Sequence, residues 1–440
     1  MAKINTRVAR PAPITFGGTP GASPPTSIRA LRRAVLSCLL WEDQFYESGV
    51  KIADRITALI AECSTADVAA LAAEARTVYG LRHVPLQLMV GLIVAMRSPT
   101  AAQVGAVLQR ADEMGEFLAL LWKDGKRPIP AAVKRAIAGA FNRQSAYTLG
   151  KWDSARRELR MRDLLRLTHP TPKDDAQSAL FKQVVTDTLP TPNTWETRLS
   201  AGEDKRTVWE SLLREGQLGY LALLRNLRNM EAVQVDRELV VTALLARQNG
   251  AEKVWPFRFV AAARSAPSFT AALDQALLAQ IGDLPRFPGR TLVLVDVSGS
   301  MDARLSGKSD LTRMDAACAL AAIFPSADVD VWSFSQGIVS VPGYRGLAGI
   351  EAIRNSQPHG STALAEAVRR ANLEPHDRLI VITDEQATDG KVPAPVCGKA
   401  YLINVASYQT GVRYDRWTKI DGFSEAVLRY MLELEAEKPE

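Results

Sequence analysis

The chain has 440 residues, 47% of them hydrophobic, and a formal net charge of +6. That length can bury more than one core and predicts two or three domains, while no apolar run approaches the ~18 to 20 residues of a membrane span, so a soluble protein is expected. Four cysteines without CxxC spacing (Cys38, Cys63, Cys318 and Cys397) argue against disulfides and zinc and for reduced thiols in the cytoplasm.

Residues 1–27 are basic, then rich in Pro, Gly and Ser; without an apolar signal core they predict a poorly ordered arm. From 28 to 288 the pattern is helical throughout. Segments such as GVKIADRITALIAEC, TADVAALAAEARTVY and PLQLMVGLIVAMR carry 3.6-period apolar spacing. Others follow at 129–142, 154–167, 175–188, 204–215, 217–229, 234–248 and 267–282. Short breaks containing Pro, Gly, Ser or Thr separate them. Helices of ~12 to 16 residues with no strands predict stacked helical pairs, an α-solenoid, with a compact irregular helical domain as the alternative.

From 289 to 440 the period changes. Strand TLVLVDV is followed by a helix at 311–324, strands at 329–335 and 338–342, and a helix at 362–373. Strands RLIVITD and AYLINVA and a helix at 423–435 complete the set. Strands alternating with helices predict a doubly wound, mostly parallel α/β sheet.

Charge divides the same way. Lys and Arg exceed Asp and Glu by 11 over residues 1–290 and fall short by 5 over 291–440. Residues 123–173 hold 13 basic against 4 acidic side chains, more than solvated helix faces need, and predict a polyanion surface, RNA or DNA.

Three predicted loops of the C-terminal part carry hard oxygen donors. Asp296, Ser298 and Ser300 end the first strand, Thr362 precedes a helix, and Asp384 ends the RLIVITD run. An open α/β sheet places ligands at such strand ends, and two carboxylates with three hydroxyls suit a hard divalent cation, most plausibly Mg²⁺. Singly, Asp-x-Ser-x-Ser is also an ordinary strand-end turn or cap.

These five residues resemble the metal-ion-dependent adhesion site of a von Willebrand factor type A domain. Four strings upstream, RMRDLLRLTHPTP (160–172), TWETRLSAGEDKRTVWESLL (194–213), GYLALLRNLRNM (219–230) and EKVWPFRFVAAA (252–263), resemble the TROVE module of the Ro autoantigen family. That family joins HEAT-like helical repeats, closed into a ring, to a C-terminal type A domain, in the order found here. The resemblance implies an RNA-binding protein of RNA quality control, or an RNA-degradation adaptor. It would hold small noncoding Y-like RNA on its outer surface and take single-stranded 3′ ends of misfolded RNA into the ring cavity.

By motif match, Arg162, Arg166 and His169 are the RNA-contacting positions, with Lys173 just beyond. Arg162 and Arg166, spaced i, i+4, share a helix face, though one of them could instead pair with Asp163, Asp174 or Asp175. Lys126, Arg127, Lys134, Arg135 and Arg143 lie in or beside the next basic helix upstream. Arg225, Arg228 and Asn226 are weaker candidates, and Trp122, Trp152, Trp209 and Trp255 are expected mainly in the core. His83 and His359 carry no partner pattern.

Catalysis is not expected. No P-loop or nucleophile elbow appears, and Asp296, Asp384 and Glu385 supply too few carboxylates for a two-metal nuclease. The competing reading is a metal-dependent protein-adhesion module without specific RNA binding. In either case the metal would capture an acidic side chain of a partner, for the RNA reading an exoribonuclease or similar protein.

Overall fold

The computed structural model describes residues 27–37, 49–153, 157–254, 256–304, 311–384, 391–405, 416–421 and 426–436. The predicted arm up to residue 26, Cys38, Trp255 and Glu385 lie outside them. The chain folds as two compact units. One comprises the described residues from 286 to 421; the other comprises those from 31 to 285 and from 426 to 436. Among the described residues no helix is long and apolar enough to cross a membrane.

The helical unit begins with α1 (Ser27–Ser37), α2 (Gly49–Glu62), α3 (Thr65–Thr77) and α4 (His83–Val94). It continues through α5 (Ala101–Val107), α6 (Ala111–Leu121), α7 (Ala131–Phe141), α8 (Ala146–Trp152) and α9 (Met161–Thr168). The third group is α10 (Asp175–Thr186), α11 (Trp195–Ser200), α12 (Lys205–Arg214) and α13 (Tyr220–Ala232). Three more, α14 (Arg237–Ala246), α15 (Phe257–Ser265) and α16 (Thr270–Gly282), precede Pro285.

Packing follows an every-second-helix rule. α3 lies on α5, α4 on α6, α5 on α7 and α7 on α9; further on, α12 lies on α14, α13 on α15 and α14 on α16. This is the pattern of a stacked-pair solenoid, in which each helix buries its apolar stripe against neighbours of the adjoining layer. Leu86, Leu88, Leu92, Phe117, Ile137 and Phe141 are fully buried. The Phe141 ring meets Phe181 of α10 edge-on, centroids 6.1 Å apart.

Local chemistry sets the helix ends. Ser64 and Asp174 accept from the backbone N–H three residues on, at 3.1 and 2.7 Å, and so start α3 and α10. Of the helix predicted over 154–167, residues 154–156 lie outside the described ones, and regular helix runs from Met161 to Thr168. Asp153 accepts from the Met161 N–H (3.1 Å), and Asp163 accepts from the Arg160 N–H (3.0 Å). Together these carboxylates satisfy donors that would otherwise bond to a preceding turn.

The α/β unit is a six-stranded sheet in the order β3-β2-β1-β4-β5-β6. Its strands are β1 (Phe287–Asp296), β2 (Ser326–Phe334), β3 (Ile338–Val341), β4 (Arg378–Thr383), β5 (Lys399–Asn404) and β6 (Thr418–Asp421). All neighbours are parallel except β3, which runs antiparallel to β2 at one edge. The crossovers hold α17 (Arg313–Ala322), α18 (Gly346–Arg354) and α19 (Leu364–Ala371); α20 (Ala426–Ala436) groups with the helical unit. β1 from Thr291 onward and all of β4 are buried, with apolar residues between polar ends, as central parallel strands covered on both faces must be. The sequence missed α18, a nine-residue helix with two glycines, and the four-residue edge strand β6.

Because β1 pairs with β2 on one side and β4 on the other, the chain leaves it in one direction and returns from the opposite one. That reversal opens a crevice at the C-terminal ends of β1 and β4, where such sheets bind ligands.

Candidate metal centre and nucleic-acid interface

Asp296 ends β1 in that crevice and is fully buried. One carboxylate oxygen accepts from the Ser298 N–H at 2.9 Å and the other from the Thr383 hydroxyl at 2.6 Å. Ser298 and Ser300 hydroxyls lie 3.2 Å apart. The Gly299 N–H donates to Gly360 O (3.1 Å), lashing the loop after β1 to the segment that carries Thr362. That segment is fixed in turn by Ser335, whose hydroxyl accepts from the Gly360 N–H at 2.7 Å and whose carbonyl accepts from the Ala363 N–H at 2.8 Å. A Cβ on Gly360 would run into the exposed side chain of Gln336, which would have to swing aside.

Thr362 and Asp384 are buried at 3% and 1% exposure, while Ser300 keeps partial access to solvent. Burial raises the Asp296 pKa to about 6; its hydrogen bonds from Ser298 and Thr383 oppose the shift, and the charge of Asp384 adds to it. A buried Arg313 guanidinium lies 3.4 Å from Asp384. Asp296, Ser298 and Ser300 thus stand together at the end of β1, the charge of Asp384 reaches Asp296, and Thr362 belongs to the segment tied to Gly299. Hard oxygen donors, two of them buried carboxylates that repel each other, are a donor set that a divalent cation fits.

In the helical unit, Asn142 donates to Thr171 O (3.0 Å) and Gln177 donates to Asn142 O (3.1 Å). Gln177 also accepts from the Lys173 N–H at 2.9 Å. These bonds pin the α9–α10 loop to the C-terminus of α7 and bring Lys173 beside that basic helix. His169 ends α9 in the left-handed region (φ 48°), where its N–H closes onto Leu165 O and its ring stays exposed.

The predicted cations separate into two groups. Lys126, Arg127, Lys134, Arg135, Arg166 and Lys173 have no carboxylate in ion-pair contact among the described residues, and all are exposed or half-exposed. Lys126 rests over the Trp122 ring at 5.7 Å. Arg162 is drawn toward Asp163 (3.9 Å) and Asp187 (3.8 Å). Arg143 departs from the expected role: it donates to Gly139 O (3.2 Å), Gly105 O (3.4 Å) and Leu108 O (2.9 Å), clasping the ends of α5 and α7. Its bond capacity goes to carbonyls near helix C-termini.

Asn226 is also corrected. It is buried at 5% exposure, bonded to Ala222 O and to Asn229, and cannot read a base edge. Trp209 is buried and stacked on Trp195 at 5.5 Å, a packing role. Trp152 is different. It is half-buried, with the Arg110 guanidinium 4.5 Å, Arg157 5.7 Å and Lys151 6.0 Å from its ring. Lys151 also lies 5.9 Å from the exposed Tyr147. This aromatic–cation cluster escaped the sequence, whose only sign of it is the Tyr-x-x-x-Lys-Trp spacing.

A family model described as the TROVE domain matches residues 186–282. Residues 186–282 are thus similar to a TROVE domain. Three of the four strings singled out above fall inside the match, and the basic 160–172 string precedes it. Telomerase protein component 1 of Mus musculus is 36% identical over 86 residues, and that of Rattus norvegicus 36% over 76. Those segments are 19% and 16% of this chain but only 3% of either relative. The crystal structure of the Deinococcus radiodurans Ro (RSR) protein matches with a TM-score of 0.52 at 19% identity, covering 84% of this chain and 93% of that one. The chain therefore shares the fold of that Ro protein, helices first and the α/β unit after them.

Proposed function

We propose that this TROVE chain is a Ro-like RNA-binding protein whose helical unit holds structured RNA through the cations of α7, α9 and their flanking loops. The observation that carries the reading is the six cations without a carboxylate partner among the described residues, set beside an exposed His169, in a protein that neutralises Arg160, Arg198 and Arg206 with internal carboxylates. Exposed cations without partners remain free for phosphates, and guanidinium groups also stack on unpaired bases. The RNA class is a small noncoding Y-like RNA together with misfolded RNA bearing a loose 3′ end. Recognition would rest on backbone charge and strand accessibility.

The crevice at β1 and β4 is proposed as a Mg²⁺ site of the type A adhesion kind, held by Asp296, Ser298, Ser300, Thr362 and Asp384. Bound there, the cation would offer a coordination position to an acidic side chain of a partner protein, for instance an exoribonuclease. The hydroxyl-rich donor set favours capture over hydrolysis, so the protein is proposed as a cytoplasmic adaptor without catalysis of its own.

Fluorescence anisotropy with a labelled hairpin RNA carrying an unpaired 3′ tail tests the RNA reading. Arg166→Glu with Lys173→Glu should weaken binding at least tenfold, since both introduce repulsion where phosphates are expected. An affinity equal to that of the wild type would contradict it.

A further inference from the structure

Between the end of α8 and α11 lies a cleft of about 480 Å³, within the size range of small-ligand sites. Its walls meet closely: a Cβ on Gly150 would stand 3.1 Å from Pro190 O and 3.5 Å from Pro192 Cδ. Trp152 and the 189–192 segment supply apolar surface, and Lys151 stands among the lining residues without a carboxylate partner. Three carboxylates line the cleft. Two of them are spent, because Arg160 binds Asp153 at 2.9 Å and Asp187 at 2.5 Å. The third, Glu196, is exposed and makes no side-chain hydrogen bond among the described residues; nor does the Thr191 hydroxyl, which also lines the cleft. The hydroxyls of Thr194 and Thr197 are already engaged in capping α11.

The site therefore offers a flat apolar wall, a cation, and one free acceptor-only group. A carboxylate accepts from an exocyclic amino group, as Glu and Asp do from N4 of cytosine, and repels the O4 that uracil presents at the same place. Lys151 suits the attached phosphate, and the aromatic and proline surfaces suit the face of an unstacked base. We infer that this cleft takes one unpaired nucleotide of the bound RNA and selects a base with an exocyclic amino group, cytosine over uracil. The inference rests on the RNA-binding reading and adds to it a point of sequence preference at a place remote from the metal centre in the chain.

Oligocytidylate and oligouridylate decamers, fluorescein-labelled and titrated with the full chain, form the test. The two differ at the position Glu196 would read. Wild type should bind the cytidylate about fivefold tighter, a discrimination in the range of one base-edge contact. Glu196→Ala should bring the ratio close to one, even if removal of a negative charge strengthens binding to both. Thr191→Trp, a change at an exposed position that fills the cleft and leaves Glu196 in place, should also abolish the ratio. Equal affinities in the wild type, or a preference surviving both variants, would overturn the cleft as a base site and leave RNA binding by the basic helices standing. Failure of the wild type to bind either decamer or a tailed hairpin RNA would overturn both.

Discussion

Gln177 offers a way to disturb the proposed RNA surface without touching any charge. Its side chain is 5% exposed and makes two bonds that hold the α9–α10 loop against α7: it donates to Asn142 O at 3.1 Å and accepts from the Lys173 N–H at 2.9 Å. In Gln177→Ala both are lost and their partners must find water. At a net 0.5 to 1.5 kcal/mol per bond, the helical unit should lose about 1–3 kcal/mol of stability. The larger consequence is positional. Lys173, no longer pinned beside the basic helix, should stop contributing a fixed phosphate contact. For single-stranded RNA each such contact adds about 0.7 to the slope of log K against log salt, so the slope should fall by about 0.7 although every cation is still present. Urea unfolding and anisotropy titrations across a salt series measure the two effects on one preparation. If stability drops and the slope does not move, the loop does not place Lys173 on RNA, and that part of the reasoning is refuted.

Other variants separate framework from function. Arg143→Ala should cost about 1–3 kcal/mol, seen as a lower denaturation midpoint, because three carbonyls lose their donor; its salt slope should match wild type. Trp209→Ala, which removes a buried ring stacked on Trp195, should cost about 3–5 kcal/mol in the same assay. Asp296→Ala should abolish Mg²⁺ or Mn²⁺ binding by calorimetry and leave affinity for tailed RNA unchanged. Coupled loss of both would tie the metal crevice to RNA.

Much of the fold was readable because its signals are local. Continuous apolar runs in TLVLVDV and RLIVITD against 3.6-period helices separate the two kinds of unit, and both runs form central parallel strands. Elements whose existence depends on tertiary partners were not readable. β6 is four residues long and is a strand because β5 offers it an edge. α18 has little helical propensity and is held by packing on α17. At the crevice, the donor spacing was visible in sequence, whereas Arg313 beside Asp384 was not, since 71 residues separate them. The same holds for Arg143, which looks like any other exposed cation until the carbonyls of α5 are placed against it. Trp152 shows the converse: an apparent core residue is half-buried and carries the Arg110 guanidinium, which arrives from α6's N-terminus.

Neutralising the six unpaired cations together (Lys126, Arg127, Lys134, Arg135, Arg166 and Lys173, each to Gln) and recording the salt dependence of binding to a tailed hairpin RNA gives the most direct measurement. All six side chains reach solvent, so the fold should persist. At about 0.7 per phosphate contact, the slope should fall by up to about 4, with affinity collapsing at physiological salt. A slope indistinguishable from that of the wild type would mean that RNA, if bound, lies elsewhere on the protein.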